Sequence, residues 1–155
     1  MNSEVEIHVN GLSRTLSATP STSLLRALRD EGLTGTTGAC EQGECGSCSV
    51  WLDGLLVCSC LVPALVCAGS QVETIERGVA ADLADALAFH GGVQCGFCTP
   101  GIVMAAEALL LNNSAPSRSD VAEALAGNLC RCTGYHGIID AVVEVGRARS
   151  RGIVT

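Results

Sequence analysis

Ten of the 155 residues are cysteine, and eight of these fall into two sets of four with the spacing of iron–sulfur ligands. Cys40, Cys45, Cys48 and Cys60 read C-x4-C-x2-C-x11-C, whereas Cys95, Cys98, Cys130 and Cys132 read C-x2-C followed some thirty residues later by C-x-C. The first order is the plant-type spacing of a [2Fe–2S] cluster, which takes four thiolates. Two such sets predict two [2Fe–2S] clusters. A chain with this chemistry carries electrons singly and makes or breaks no substrate bond itself. Gly43 and Gly46 interleave the first set, and Gly96, Gly101 and Gly134 punctuate the second. Such residues let backbone N–H groups turn toward cluster sulfur, and those contacts help to set the reduction potential.

A structural zinc pair is the competing reading of the same cysteines. A zinc site built from four cysteines favours paired C-x2–4-C knuckles, and only Cys95 and Cys98 fit that pattern comfortably. Zinc would make the chain a metal-stabilised interaction module. The first set also contains an ambiguity: Cys58 and Cys60 are two apart, face the same side of a strand, and cannot be separated by spacing. Cys67, and whichever of that pair does not ligate, read as buried thiols acting as small hydrophobes. The three histidines add little. His8 alternates within a strand pattern, His90 closes a helix where a cation suits the dipole, and His136 adjoins the second set, whose four cysteines leave it no vacancy. Arg131, between two ligands, either offsets cluster charge or faces a partner. The sequence shows no Ser/His/Asp, Walker or GxGxxG arrangement, so no residue is assigned a catalytic role.

The elements that must position these cysteines change character midway. Val5, Ile7 and Val9 alternate as a half-buried strand, Asn10-Gly11 makes a two-residue turn, and Arg14 to Leu16 returns. Ser23 caps a short helix bearing Leu24, Leu25 and Leu28, with Gly32 beyond its end. A glycine-rich loop from Gly35 to Cys48 leads into a hairpin, Ser49 to Leu52 and Leu55 to Cys58, around Asp53-Gly54. Gln71 to Ile75 is a closing strand. Thereafter the period is helical: Asp82 to His90, Ile102 to Leu111 behind Pro100, Val121 to Gly127 behind a capping-box-like Ser117 and Asp120, and Ile138 to Ser150. The expected class is α+β: a ferredoxin-type domain over 1–77, and a four-helix domain over 78–155 with the second cluster in its loops.

Each half would hold about 75 residues, a size at which an apolar core is marginal, and metal–thiolate bonds would offset that. The formal charge of −7, from nine basic and sixteen acidic residues, lacks the positive footprint of a nucleic-acid binder. Mean hydropathy is +0.39, which hints at apolar surface covered by partners. The N-terminus has no basic segment followed by an apolar run, and the apolar stretch Leu55 to Ala68 is shorter than a membrane span and broken by Pro63. A reducing cytoplasmic setting is therefore expected, in which metal ligation accounts for the cysteines better than disulfides do.

The segments CEQGECGSCSVWLDG, SCL at Ser59-Cys60-Leu61, QCGFCTPG and NLCRCTGY resemble the iron–sulfur subunit of the xanthine oxidase family of molybdenum hydroxylases. The resemblance runs nearly end to end. It implies a β-grasp ferredoxin domain followed by a four-helix bundle, and it selects Cys60 over Cys58. It implies partners too: a large subunit with molybdopterin and a medium subunit with FAD, in a heterotrimer or a dimer of heterotrimers. Substrate would be hydroxylated at molybdenum, and electrons would leave through the helical-domain cluster, then the ferredoxin-domain cluster, to FAD. Gln94 and Cys132 match positions that lie against the pterin in that family. Stand-alone ferredoxins have only the first site. An independent carrier is thus the other alternative, and the pterin-facing positions argue against it. The first motif and its hairpin look more like bacterial purine (xanthine) dehydrogenases than carbon monoxide enzymes, with aldehydes and other N-heterocycles left open.

Overall fold

The computed structural model describes residues 3–78 and 80–152; residues 1, 2, 79 and 153–155, which the expected domain limits include, lie outside the described residues. Strands β1 (Ser3–Val9) and β2 (Leu12–Ala18) form an antiparallel hairpin running from Ser3↔Ala18 to Val9↔Leu12. Asn10 and Gly11 both have positive φ, as this two-residue turn requires, so pairing starts at Leu12, two residues before the expected return strand. Helix α1 (Leu24–Asp30) is capped by Ser23, whose hydroxyl accepts the Arg26 N–H. Strands β3 (Ser49–Leu52) and β4 (Leu55–Cys58) make the second hairpin. Strand β5 (Gln71–Glu73) lies between the hairpins, parallel to β1 and antiparallel to β3, giving the order β2-β1-β5-β3-β4. Val5, Ile7 and Val9 bury one face of the sheet with Leu16, Val50 and Val72, against Leu24, Ala27 and Leu28 of α1.

The closing strand is shorter than the sequence pattern suggests. It stops at Glu73 because the Thr74 N–H donates to Asn10 Oδ1 (2.9 Å) while Asn10 Nδ2 donates to Thr74 Oγ1 (2.9 Å). The chain then turns through a short 3-10 segment, Ile75–Arg77, and Ile75 packs on the helical core instead of the sheet.

The second half contains helices α2 (Ala81–Phe89), α3 (Thr99–Asn112), α4 (Arg118–Ala124) and α5 (His136–Ser150). Helix α4 begins and ends three residues earlier than expected, because Ser117 is its N-cap: Ser117 Oγ accepts the Asp120 N–H and Asp120 Oδ2 accepts the Ser117 N–H. Leu83 and Leu87 of α2 and Ile102, Val103 and Ala106 of α3 form one core with Val121, Ile138 and Val142. Among the described residues, no helix is long and apolar enough to cross a membrane.

One ion cluster joins three of these helices. Arg149 donates to both oxygens of Asp82 at 2.8 Å and to Glu107 at 3.0 Å, and all three side chains are at least three-quarters buried. The Arg149 hydrogen bonds hold the Asp82 carboxyl below its ordinary range against the opposing effect of burial. A depressed carboxyl stabilises the fold above its unfolded pKa, and that contribution fades as pH falls through the folded value. Arg149→Met should therefore cost about 2–3 kcal/mol near neutrality, between exposed and fully buried pairs. The difference in thermal midpoint between wild type and variant should shrink below about pH 4, where free Asp titrates. Melting curves across that range check it.

Candidate metal centres

Three loops and one short turn carry the eight cysteines. The loop between α1 and β3 holds Cys40, Cys45 and Cys48, and Cys60 sits in a 3-10 turn, Ser59–Leu61, directly after β4. Ser59 is fully buried and clamps that turn to the loop, since its hydroxyl (2.7 Å) and its N–H (3.3 Å) both reach the Cys48 carbonyl. The α2–α3 loop holds Cys95 and Cys98, and Cys98 caps α3 with Pro100 in the first turn. The α4–α5 loop holds Cys130 and Cys132.

All ten thiols are free, and the eight candidates gather two by two. Cys132 Sγ lies 3.7 Å from Cys95 Sγ. The thiol of Cys98 is in hydrogen-bond contact with Cys130, that of Cys60 with Cys48, and that of Cys40 with Cys45. A [2Fe–2S] group binds four thiolates across two irons, so two of these pairs would have to draw together around each group.

The electrostatics divide the cysteines: Cys40 and Cys130 are shifted toward thiolate, whereas Cys60, Cys98 and Cys132 are shifted away from it. The N–H groups of Gln42, Glu44 and Cys45, in falling order, then the Cys45 thiol, draw Cys40 down to about 7. The Gln42 N–H lies 3.4 Å from Cys40 Sγ. Burial pushes Cys60 up to about 12, with Cys48 adding to the rise and the Gly43 N–H opposing it. Burial likewise pushes Cys98 up to about 12, helped by Cys130. Burial also acts on Cys130, yet the Thr133 hydroxyl and N–H, the Cys132 N–H and the Cys98 thiol outweigh it and lower that thiol. Within the Cys98–Cys130 pair the two thiols are thus shifted in opposite directions, and metal binding would displace the protons they carry.

The two sets stand back to back. The Leu129 N–H donates to the Cys45 carbonyl at 2.9 Å, Asn128 Nδ2 donates to the Gly46 carbonyl at 3.1 Å, and Thr37 Oγ1 lies 3.0 Å from both the Ser47 and Phe97 carbonyls. The start of α3 presses on the first loop at Gly101, where a Cβ would come within 2.2 Å of the Gly46 carbonyl oxygen. Gly46 itself sits at φ +67° with no room for a side chain beside Asn128.

Gln94, Cys95 and Cys132 are exposed, so the second set opens onto the surface, and Gln94 Nε2 donates to the Cys132 carbonyl at 3.1 Å. Among the described residues the candidate cysteines meet in pairs, no three His, Cys, Asp or Glu side chains gather closely enough to hold a metal ion, and three of the residues considered lie apart from the pairs. Cys67 is buried in the sheet core, and His90 bonds to Glu144 at 2.8 Å across α2 and α5. His8 is half-buried on β1, on the opposite side from Val5, Ile7 and Val9. Cys58 stays near the first group: burial and then the Cys48 thiol push it up. Thr37, Asn128 and Tyr135, which contact the loops, escape a reading of ligand spacing. Adjacency of Asn128 and Tyr135 to the last cysteine pair is the one signal that would have flagged them.

Residues 7–65 match a family model described as a 2Fe-2S iron-sulfur cluster binding domain, and residues 71–143 match one described as a [2Fe-2S] binding domain. The nicotine 6-hydroxylase small subunit of Paenarthrobacter nicotinovorans is 43% identical over 145 residues, covering 91% of this chain and 88% of its own length. The chain belongs to the iron–sulfur subunits of xanthine dehydrogenase-type molybdenum hydroxylases. The xanthine dehydrogenase iron-sulfur-binding subunit of Escherichia coli O157:H7 is 40% identical, covering 90% of this chain and 92% of its own. The crystal structure of quinoline 2-oxidoreductase from Pseudomonas putida 86 superposes with a TM-score of 0.91 at 42% identity over 99% of both chains. This family member is an electron-transfer subunit of an oxidoreductase with two iron–sulfur domains and an α+β fold.

Proposed function

We propose that this chain passes electrons from a molybdopterin-binding large subunit to an FAD-binding medium subunit, holding one [2Fe–2S] group on Cys40, Cys45, Cys48 and Cys60 and another on Cys95, Cys98, Cys130 and Cys132. Each group, when bound, accepts and releases one electron at a time. The observation that carries this reading is the direct contact between the two loops. Leu129, the neighbour of Cys130, donates its N–H to the carbonyl of Cys45, so one hydrogen bond links the residue beside one set to a member of the other. Two adjoining sites let an electron pass from one to the other within the chain, which supports a relay.

The finer architecture follows the same reading: a β-grasp domain over 1–77, a four-helix bundle over 78–155, and a heterotrimer or dimer of heterotrimers in the reducing cytoplasm. Exposure of Gln94 and Cys132 suits contact with the molybdopterin subunit. The substrate is chosen on that other chain. Relatives named for nicotine, quinoline and xanthine support a nitrogen heterocycle, of which a purine such as xanthine is one member. Activity of the assembled complex toward xanthine, nicotinate, quinoline and aldehydes tests this; turnover of aldehydes alone would overturn it. A colourless, zinc-containing chain would overturn the electron-transfer reading altogether.

Gln94→Ala provides a second test. It removes no ligand, so both clusters should assemble. It does remove the amide that bonds the Cys132 carbonyl and faces the expected pterin side, at a cost of about 1–3 kcal/mol if a polar partner is left unsatisfied. Rapid mixing should show slower reduction by substrate and unchanged reduction by dithionite. An unchanged substrate-driven rate would remove Gln94 from the route.

A further inference from the structure

The Tyr135 hydroxyl is used in both directions. It accepts the Cys130 N–H at 2.7 Å and donates to the Asn128 carbonyl at 2.9 Å. Asn128 is buried, only 6% exposed, and its side-chain amide reaches the Gly46 carbonyl at 3.1 Å. A continuous chain of contacts therefore runs from the main chain of Cys130, through Tyr135 and Asn128, to the loop that carries Cys45 and Cys48. The parallel bond from Leu129 to Cys45 closes it into a two-stranded clasp.

Two further features mark Tyr135 as placed for this purpose. Its φ is +68°, a left-handed conformation that a bulky side chain adopts only when its surroundings enforce it. It is also the N-cap of α5, a position normally given to Ser, Thr, Asp or Asn, and it makes no side-chain cap there. Its polar group serves the loop instead of the helix. The ring packs on the helical core, which anchors the hydroxyl to the rigid part of the second half.

We propose that Tyr135 and Asn128 are positioning residues that fix the separation and orientation of the α4–α5 loop, with Cys130 and Cys132, relative to the α1–β3 loop, with Cys40, Cys45 and Cys48, and so set the coupling between the two redox centres. The inference rests on the two-cluster reading above. Neither side chain is a ligand, so both can be changed without removing an iron site.

The test uses the full chain with its clusters, reduced with dithionite and examined by EPR, alongside iron analysis. Tyr135→Phe keeps the ring and removes both hydrogen bonds. Asn128→Leu keeps the branching and the number of side-chain heavy atoms and removes the bond to Gly46. Both variants should hold as much iron as wild type and show both EPR signals. The magnetic splitting between the two reduced centres should be lost or altered, and electron transfer between them in the assembled complex should slow several-fold. Asn128→Gln, which retains an amide, should restore part of the splitting if Tyr135 is intact. Unchanged splitting and rate in both Tyr135→Phe and Asn128→Leu would overturn the proposal. Should Tyr135→Phe fail to fold, Asn128→Leu decides it alone. Wild-type protein with one cluster or none would instead overturn the two-cluster reading, so the two failures are distinguishable.

Discussion

Cys60→Ser is expected to lower bound iron from about four to about two per chain and to erase the ferredoxin-type EPR signal, leaving the second signal intact. Cys58→Ser and Cys67→Ser should keep both. The separation rests on what surrounds each sulfur. The Gly43 N–H acts on Cys60, as backbone donors do on a ligand thiolate, and the buried Ser59 ties the Cys60 turn to the Cys48 carbonyl. Cys58 also touches Cys48, but it lies on β4 opposite Ser49, with no comparable N–H group acting on it. Cys67 contacts the Pro63 carbonyl inside the sheet core. Because metal-binding free energy is also folding free energy, Cys60→Ser should lower the thermal midpoint of the first half as well. Iron content and EPR of the three variants settle the assignment; bleaching by Cys58→Ser, with Cys60→Ser silent, would reverse it.

Gly101→Ala should be strongly destabilising although its own backbone needs no left-handed conformation. Its Cβ would meet the Gly46 carbonyl oxygen at 2.2 Å and Ser47 Cα at 2.9 Å. Both are backbone atoms of the first cysteine loop, so no side chain can swing aside, and α3 must move away from the loop. Overpacking of this kind costs about 1–3 kcal/mol and sometimes more, and the upper end is expected here. The same shift would lengthen the Leu129–Cys45 contact, so iron retention in air should fall together with the melting temperature. Gly127→Ala is the control: an added Cβ there meets nothing within 4 Å, and both quantities should stay at wild-type values. Equal behaviour of the two variants would show that the loops tolerate separation.

Much of this protein is legible from local pattern. Alternation of Val5, Ile7 and Val9, the Asn10-Gly11 and Asp53-Gly54 turns, the Ser23 cap and the Ser117/Asp120 box are contacts between near neighbours in sequence, and they appear as expected. The cysteine spacing exposes the chemistry because ligands of one small cluster must come from short loops. Errors fall where a distant partner intervenes. Strand β5 ends early because Thr74 bonds Asn10, 64 residues away. The choice between Cys58 and Cys60 depends on where β4 ends and on a turn held by Ser59, neither of which alternation records. The Asp82–Glu107–Arg149 cluster joins three helices with no periodic signature.

Two kinds of information are therefore divided between chain and fold. The order of residues predicts two four-thiol sites, the first on a strand-rich half and the second among helices, and shows which family the chain resembles. Its statements hold because hydrogen bonding within turns, caps and hairpins and the reach of a ligand loop act over a few residues. How the sites face each other is a matter of long-range packing. Asn128 meets Gly46 across 82 residues, and Gly101 fits against the same carbonyl only because it lacks a side chain. Such contacts arise from the shapes of two finished halves pressed together, and no spacing along the chain encodes them.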